Sequence, residues 1–235
     1  MKVKLNISIP TELSQITLGQ YQEYLKIVDK NKDDENAGDF LNLKAMEIFC
    51  GLDGKNAHHL PMKHFYFALE SLESCFKEET PLVRTFTFRD PKGVEQEMGF
   101  IPKLDDMTYG EYVDLDKYVG DWQNMHKAMA VLFRPIRIKS KDSYVIDEYK
   151  GTETYAEAMK ETPVNIAIGA LVFFYRLGTK LCEHIIPFLS RQEALSSQQK
   201  LDLLKIGDGI RQSMYYARET FLESTKQQRF LYTKP

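Results

Sequence analysis

The chain has 235 residues, 43% of them hydrophobic and 28% charged, and a formal charge of −3. That length can bury a substantial core and sits at the upper end of single-domain size. The near-neutral balance excludes a whole-surface attraction to nucleic acid or to an anionic membrane, leaving only local patches for such contacts.

From the N-terminus, Val3-Lys-Leu-Asn-Ile-Ser-Ile9 alternates as a strand does, without the apolar core or small-residue cleavage site of a secretory signal. After Ile9-Pro10 comes Leu13-Ser-Gln-Ile-Thr-Leu-Gly-Gln-Tyr21, which returns as Leu104-Asp-Asp-Met-Thr-Tyr-Gly-Glu-Tyr112 after a second pair, Ile101-Pro102. An internal duplication organises the chain. In each copy Thr17 or Thr108 is placed to cap a helix, and Gln20 or Glu111 three residues later to reach back to the cap's own N–H. Ile16 with Tyr21, and Met107 with Tyr112, have the spacing of a hydrophobic staple.

Between the copies, residues 29–39 are polar and aperiodic and read as an exposed loop. Apolar spacing of three and four predicts helices over Phe40 to Phe49 and from Pro61 to Phe76, the latter with the stripe Leu60, Phe65, Leu69, Leu72 and Phe76. Val83 to Phe88 and Glu95 to Ile101 read as a hairpin around Asp90-Pro-Lys-Gly93. Beyond the second copy, Trp122 to Phe133 predicts a helix, and Ile136 to Ile146 alternates as a second extended pair.

The last third reads as helical. Thr154 with Glu157 and Ser190 with Glu193 have capping-box spacing, before helices over about 155–161, 163–186 and 191–225, with Pro187 ending one of them. Val164 to Leu177 is the most apolar stretch; interrupted by Asn165, it falls short of the roughly 20 residues that span a bilayer and reads as a buried helix. The expected fold is α+β, predominantly α-helical with short strands, in a first unit over residues 1–100 and a second over 101–235, as two lobes or one packed domain.

Gly51-Leu-Asp-Gly54 and Gly207-Asp-Gly209 lack the spacing and setting of a phosphate loop and read as turns. His58, His59 and His64 do not match a metal-ligand pattern; His58 and His59 read as a solvated turn before the Pro61 helix, and His64 lies within its first turn. Asp105, Asp106, Asp114 and Asp116 surround a helix start, where carboxylates favour the positive end of the helix dipole over acid/base work. Cys50, Cys75 and Cys182, odd in number and set among apolar residues, read as buried reduced thiols. No nucleophile-elbow or cysteine-protease signature is present, and no cofactor or metal ligand set is assigned.

Two binding candidates remain. Arg134, Arg137, Lys139 and Lys141 place four cations in eight residues. On a strand the last three face one way and Ile136 and Ile138 the other, a face that could meet phosphate or guard a sheet edge against aggregation. The tail ends apolar and aromatic, and Phe230, Leu231 and Tyr232 are the expected docking residues, on the chain's own domain or on a partner.

The two capped-helix starts, together with Met125-His-Lys-Ala-Met-Ala-Val-Leu-Phe-Arg-Pro-Ile136 and Ala167-Ile-Gly-Ala-Leu-Val-Phe-Phe-Tyr175, resemble uncharacterised proteins of the structural gene block of tailed bacteriophages, including crAss-like phages of Bacteroidetes hosts. The resemblance covers about residues 7–180 and rests on helix starts and core helices, so no functional residue is carried over. It implies a non-enzymatic component of the virion, a ring or tail protein or one packaged inside, working through contacts with portal, ring or tail proteins or with a second copy of itself. Its location would be the virion, and the host cytoplasm during assembly. The alternatives are a tail-assembly chaperone not retained in the particle, and a protein delivered with the genome and bound to nucleic acid.

Overall fold

In a computed structural model, residues 7–177 are described apart from a few isolated positions; residues 1–6 and 178–235 are not. Both duplicated starts form complete capping boxes. Thr17 Oγ1 accepts from Gln20 N at 3.1 Å while Gln20 Oε1 accepts from Thr17 N at 2.9 Å, opening α1 (Leu18–Lys30). Thr108 and Glu111 repeat the exchange at 3.3 and 2.6 Å. Helix α2 (Gly38–Cys50) ends at Gly51, whose φ of 66° is the left-handed conformation that a glycine supplies without a Cβ clash. The short α3 (Gly54–Ala57) and α4 (Met62–Cys75) follow.

The predicted hairpin forms as β1 (Thr85–Arg89) and β2 (Glu95–Phe100). Asp90 makes its turn, Oδ1 accepting from Lys92 N at 2.9 Å and Val94 N at 2.8 Å, with Gly93 at φ 81°. After the second cap come α5 (Tyr109–Tyr118) and α6 (Met125–Leu132), the latter entered through a 3-10 turn over Trp122–Asn124. β3 (Phe133–Lys139) and β4 (Tyr144–Ile146) complete a four-stranded antiparallel sheet in the order β1-β2-β3-β4. The fold is α+β with helices predominating.

Several expectations are corrected. Of the N-terminal alternation only residues 7–9 are described; they form no strand and are tied by Ser8 N to Cys50 O at 3.2 Å. Thr154 and Glu157 do not open a helix over 155–161. Residues 153–157 form turns and a 3-10 helix spans Ala158–Glu161, because the chain must be extended again at Thr162 (ψ 147°) to reach α1. Strand β3 starts at Phe133, earlier than expected, and a bulge between Ile136 and Ile138 breaks the alternation, leaving Ile138 exposed. The staple forms a buried pair in the first copy only, since Tyr112 is exposed. Helix 191–225 and the caps at Ser190 and Glu193 lie outside the described residues.

One hydrophobic core draws on both halves of the chain. Tyr21 meets Trp122 edge-on at 4.9 Å and Tyr24 meets Phe49 at 5.1 Å, pairs worth about 0.5–1.5 kcal/mol each beyond their burial. Phe100 bridges the sheet to the helix that begins at residue 164, with Phe133 at 5.3 Å on one side and Phe173 at 5.5 Å on the other. Gly169 lets that helix approach Pro81: a Cβ at 169 would sit 2.4 Å from the Pro81 carbonyl oxygen. Among the described residues no helix is long and apolar enough to cross a membrane.

Candidate interaction surface

Helix α4 changes character half-way along. Pro61, with φ −58° fixed by its ring, sets its start and accepts from His64 N at 2.8 Å. From Ala68 onward Ala68, Leu69, Leu72 and Cys75 are buried at helical spacing, and Ser71 Oγ and Cys75 Sγ donate to Pro10 O at 2.8 and 3.4 Å. Before Ala68 only Phe65 packs against the core, and the other side chains of the helix overhang the body. Met62, Tyr66 and Phe67 are 60%, 45% and 62% exposed, beside exposed Lys63 and His64.

Clustered exposure of large apolar side chains leaves their transfer free energy, about 25 cal/mol per Å², to be realised on contact with something else. Methionine and aromatic residues are also the types enriched where proteins meet. Sequence reasoning assigned the buried stripe of this helix and passed over Met62, Tyr66 and Phe67. Their signal was present: between Leu60 and Leu69 apolar residues occupy every side of the helix, more than one packed face can absorb.

The four cations do not form one face. Arg134 is buried and pairs with the carboxylate of Glu111, while its Cζ lies 5.7 Å from the Tyr149 ring. Arg137 Nε donates to Asp147 at 3.0 Å and Lys139 pairs with Glu97. Lys141 is exposed beyond the end of β3. With three of the four matched to carboxylates, the strand presents little net charge to a phosphate. The sheet-edge reading fails as well, because β3 is an inner strand paired with both β2 and β4.

The acids also separate. Asp105 and Asp106 lie exposed in the 3-10 turn before the Thr108 cap, and Asp116 is exposed on α5. Asp114 accepts from Tyr149 Oη at 2.5 Å, and burial, then this hydrogen bond, raises the pKa of that phenol. His59 and His64 are exposed, and His58 lies outside the described residues. Among the described residues no three potential metal ligands come together. Cys50 is a buried free thiol, pushed up to about 12 by burial and then by its neighbour Cys75, which is buried as well; Cys182 lies outside the described residues. So do Gly207, Gly209, Phe230, Leu231 and Tyr232.

Compared with models of protein families, with curated proteins and with solved structures, the chain matches none. Gln22 Nε2 donates to Trp122 O at 2.6 Å and faces His126 Nδ1 at 3.0 Å, which makes Nδ1 the acceptor and puts the ring proton on Nε2, 3.8 Å from Glu157. Burial lowers the His126 pKa, the Lys160 charge adding to it, and a proton on Nδ1 would face the amide hydrogens of Gln22. This network pins α1 to α6. The overhanging end of α4 groups three of the exposed large apolar side chains of the described surface, Met62, Tyr66 and Phe67, on one short stretch.

Proposed function

We propose that the chain is a non-enzymatic component of a tailed-phage particle, a ring or tail protein or one packaged inside, acting through protein–protein contacts. The observation that carries the contact reading is the overhanging half of α4, where Met62, Tyr66 and Phe67 present apolar and aromatic surface outside the core. The phage setting rests on the resemblance of the duplicated capped-helix starts and of residues 125–136 and 167–175 to structural-block proteins. The partners are then other particle proteins, and the places of action the virion and, during assembly, the host cytoplasm. A protein bound to nucleic acid through Arg134 to Lys141 gains little support, since Arg134 is buried and Arg137 and Lys139 are paired with carboxylates.

Quantitative mass spectrometry of purified particles against the infected-cell lysate tests the reading. Retention at many copies per particle supports a structural or packaged protein. Abundance in the lysate with absence from particles refutes it in favour of an assembly chaperone.

A further inference from the structure

The four-stranded sheet ends in two edges, and they are not equally protected. β4 is three residues long and meets β3 across the bulge between Ile136 and Ile138. Short, irregular edges resist further pairing. β1 is five residues long, runs in unbroken register with β2, and contains neither proline nor lysine. The hairpin fixes which of its backbone groups face outward. Asp90 N donates to Val94 O at 2.9 Å and Phe100 N to Arg84 O at 2.8 Å, so residues 84, 86, 88 and 90 direct their N–H and C=O groups toward β2. Those of Thr85, Thr87 and Arg89 point away from the sheet, and none of the described residues bonds to them. Thr87 and Arg89 are themselves exposed.

Such a row of backbone groups is a template for one more strand, and the charges along it select which strand. Arg84 is exposed and has the Tyr144 phenol as a neighbour, but among the described residues no carboxylate pairs with it. Arg89 is paired with Glu95 at 3.1 Å, and Glu97 with Lys139. Asp90 follows the strand directly, its carboxylate held by Lys92 N, Val94 N and Gln96 Nε2. An antiparallel copy of β1 centred on Thr87 sets Arg84 opposite Asp90 at both ends, Arg89 opposite uncharged Thr85, and Thr87 opposite Thr87. Lys92 lies in the turn beyond the paired stretch. Opposite charges and threonine pairs are favourable directly across antiparallel strands. Neighbouring registers lack this match. Moving the axis to Phe88 sets Arg84 against Lys92 and Thr85 against Pro91, and moving it to Phe86 leaves Arg84 against Phe88 and Arg89 against Val83.

We infer that β1 pairs with β1 of a second copy of this chain about a two-fold axis at Thr87, joining the two sheets edge to edge. Thr85, Thr87 and Arg89 then exchange backbone hydrogen bonds with Arg89, Thr87 and Thr85 of the second copy. The contact is self-complementary, closes at two copies, and uses no residue of α4.

The test is sedimentation equilibrium on the full-length chain. A reversible monomer–dimer equilibrium is expected, weakened several-fold by Arg84→Glu and abolished by Thr87→Pro. Because Thr87 N–H faces outward, proline there removes no hydrogen bond within the fold and should leave the far-UV circular dichroism unchanged. If that variant loses its fold, Thr87→Lys, which sets two ammonium groups across the axis, takes its place. Position is read with Thr87→Cys in a Cys182→Ser background, since Cys50 and Cys75 are buried. Mild oxidation should link two copies through residue 87, because Cα atoms of a hydrogen-bonded pair lie about 5.5 Å apart, within disulfide reach. Val145→Cys, on the protected edge, should stay unlinked. A chain that is monomeric at every concentration overturns the inference, as does a dimer that the folded Thr87 variants leave intact. Failure of residue 87 to link within the dimer, or linkage through residue 145 in its place, overturns it as well. Neither readout involves a phage particle, so the result is separate from the fate of the virion reading.

Discussion

Glu111 and Arg134 join a helix cap to the sheet. One carboxylate oxygen of Glu111 accepts from Thr108 N, and the other pairs with the Arg134 guanidinium in the buried part of β3. Gln20 does the matching work in the first copy without a charge, Oε1 accepting from Thr17 N and Nε2 donating to Ile48 O at 2.8 Å. The duplicated cap thus supplies two anchors, one neutral and one ionic.

Because both Glu111 and Arg134 are buried, removing the anion leaves an uncompensated charge. Glu111→Gln can keep the cap but not the pair, and is expected to cost about 3 kcal/mol of stability in urea unfolding. Adding Arg134→Met to it should recover most of that loss. A cost within experimental error for Glu111→Gln alone would show that the pair does not hold the helix to the sheet.

Thr17→Ala and Thr108→Ala each remove one cap acceptor and are expected to destabilise by about 1 kcal/mol. Deuterium exchange should place the effect at the first turn of α1 and of α5 respectively. Protection that is unchanged at both helix starts would contradict the capping geometry.

His126 links stability to pH. Its pKa is lowered in the fold from the ordinary 6.5, so as pH falls the unfolded chain takes up that proton first. Its contribution is complete above about pH 6.5 and is lost progressively below it. The urea midpoint of the native chain should fall between about pH 7.5 and 5.5, and the His126→Gln variant should show a shallower fall. Parallel curves for the two proteins would argue against a buried neutral imidazole.

Met62→Ser with Phe67→Ser alters only overhanging side chains and should leave stability within about 0.5 kcal/mol. On the proposed function the same variant should lose incorporation into particles. Normal incorporation would move the contact surface elsewhere.

Gly169→Ala brings a methyl group against the Pro81 carbonyl and is expected to cost about 1–3 kcal/mol, whereas alanine at an open helical glycine is stabilising. Thermal unfolding distinguishes the two directions.

What the sequence made legible is local. The capping boxes close over three residues, the Asp90–Gly93 turn is held by one side chain, and α2, α4 and α6 follow from apolar spacing. What it hid depends on partners far along the chain. Arg134 reads as a free cation until Glu111, 23 positions earlier, is placed beside it. The bulge at Ile136/Ile138 and the loss of the 155–161 helix likewise follow from what those segments must reach. For the candidate surface, the excess of apolar residues over 60–69 could be seen, but which of them lack cover is decided by the body they pack on.

The bridge between Thr17 and Pro163 also sets an order of events during synthesis. At roughly 5–20 residues per second, about 7–30 s pass between the appearance of one partner and the other. Throughout that interval Ile16 and Leu18 lack the strand that covers them, so the nascent N-terminal helix must wait with its apolar start unprotected. Ribosome pausing before residue 164, or loss of the chaperones that shield emerging chains, should therefore lower the soluble yield of this protein more than changes made after that point.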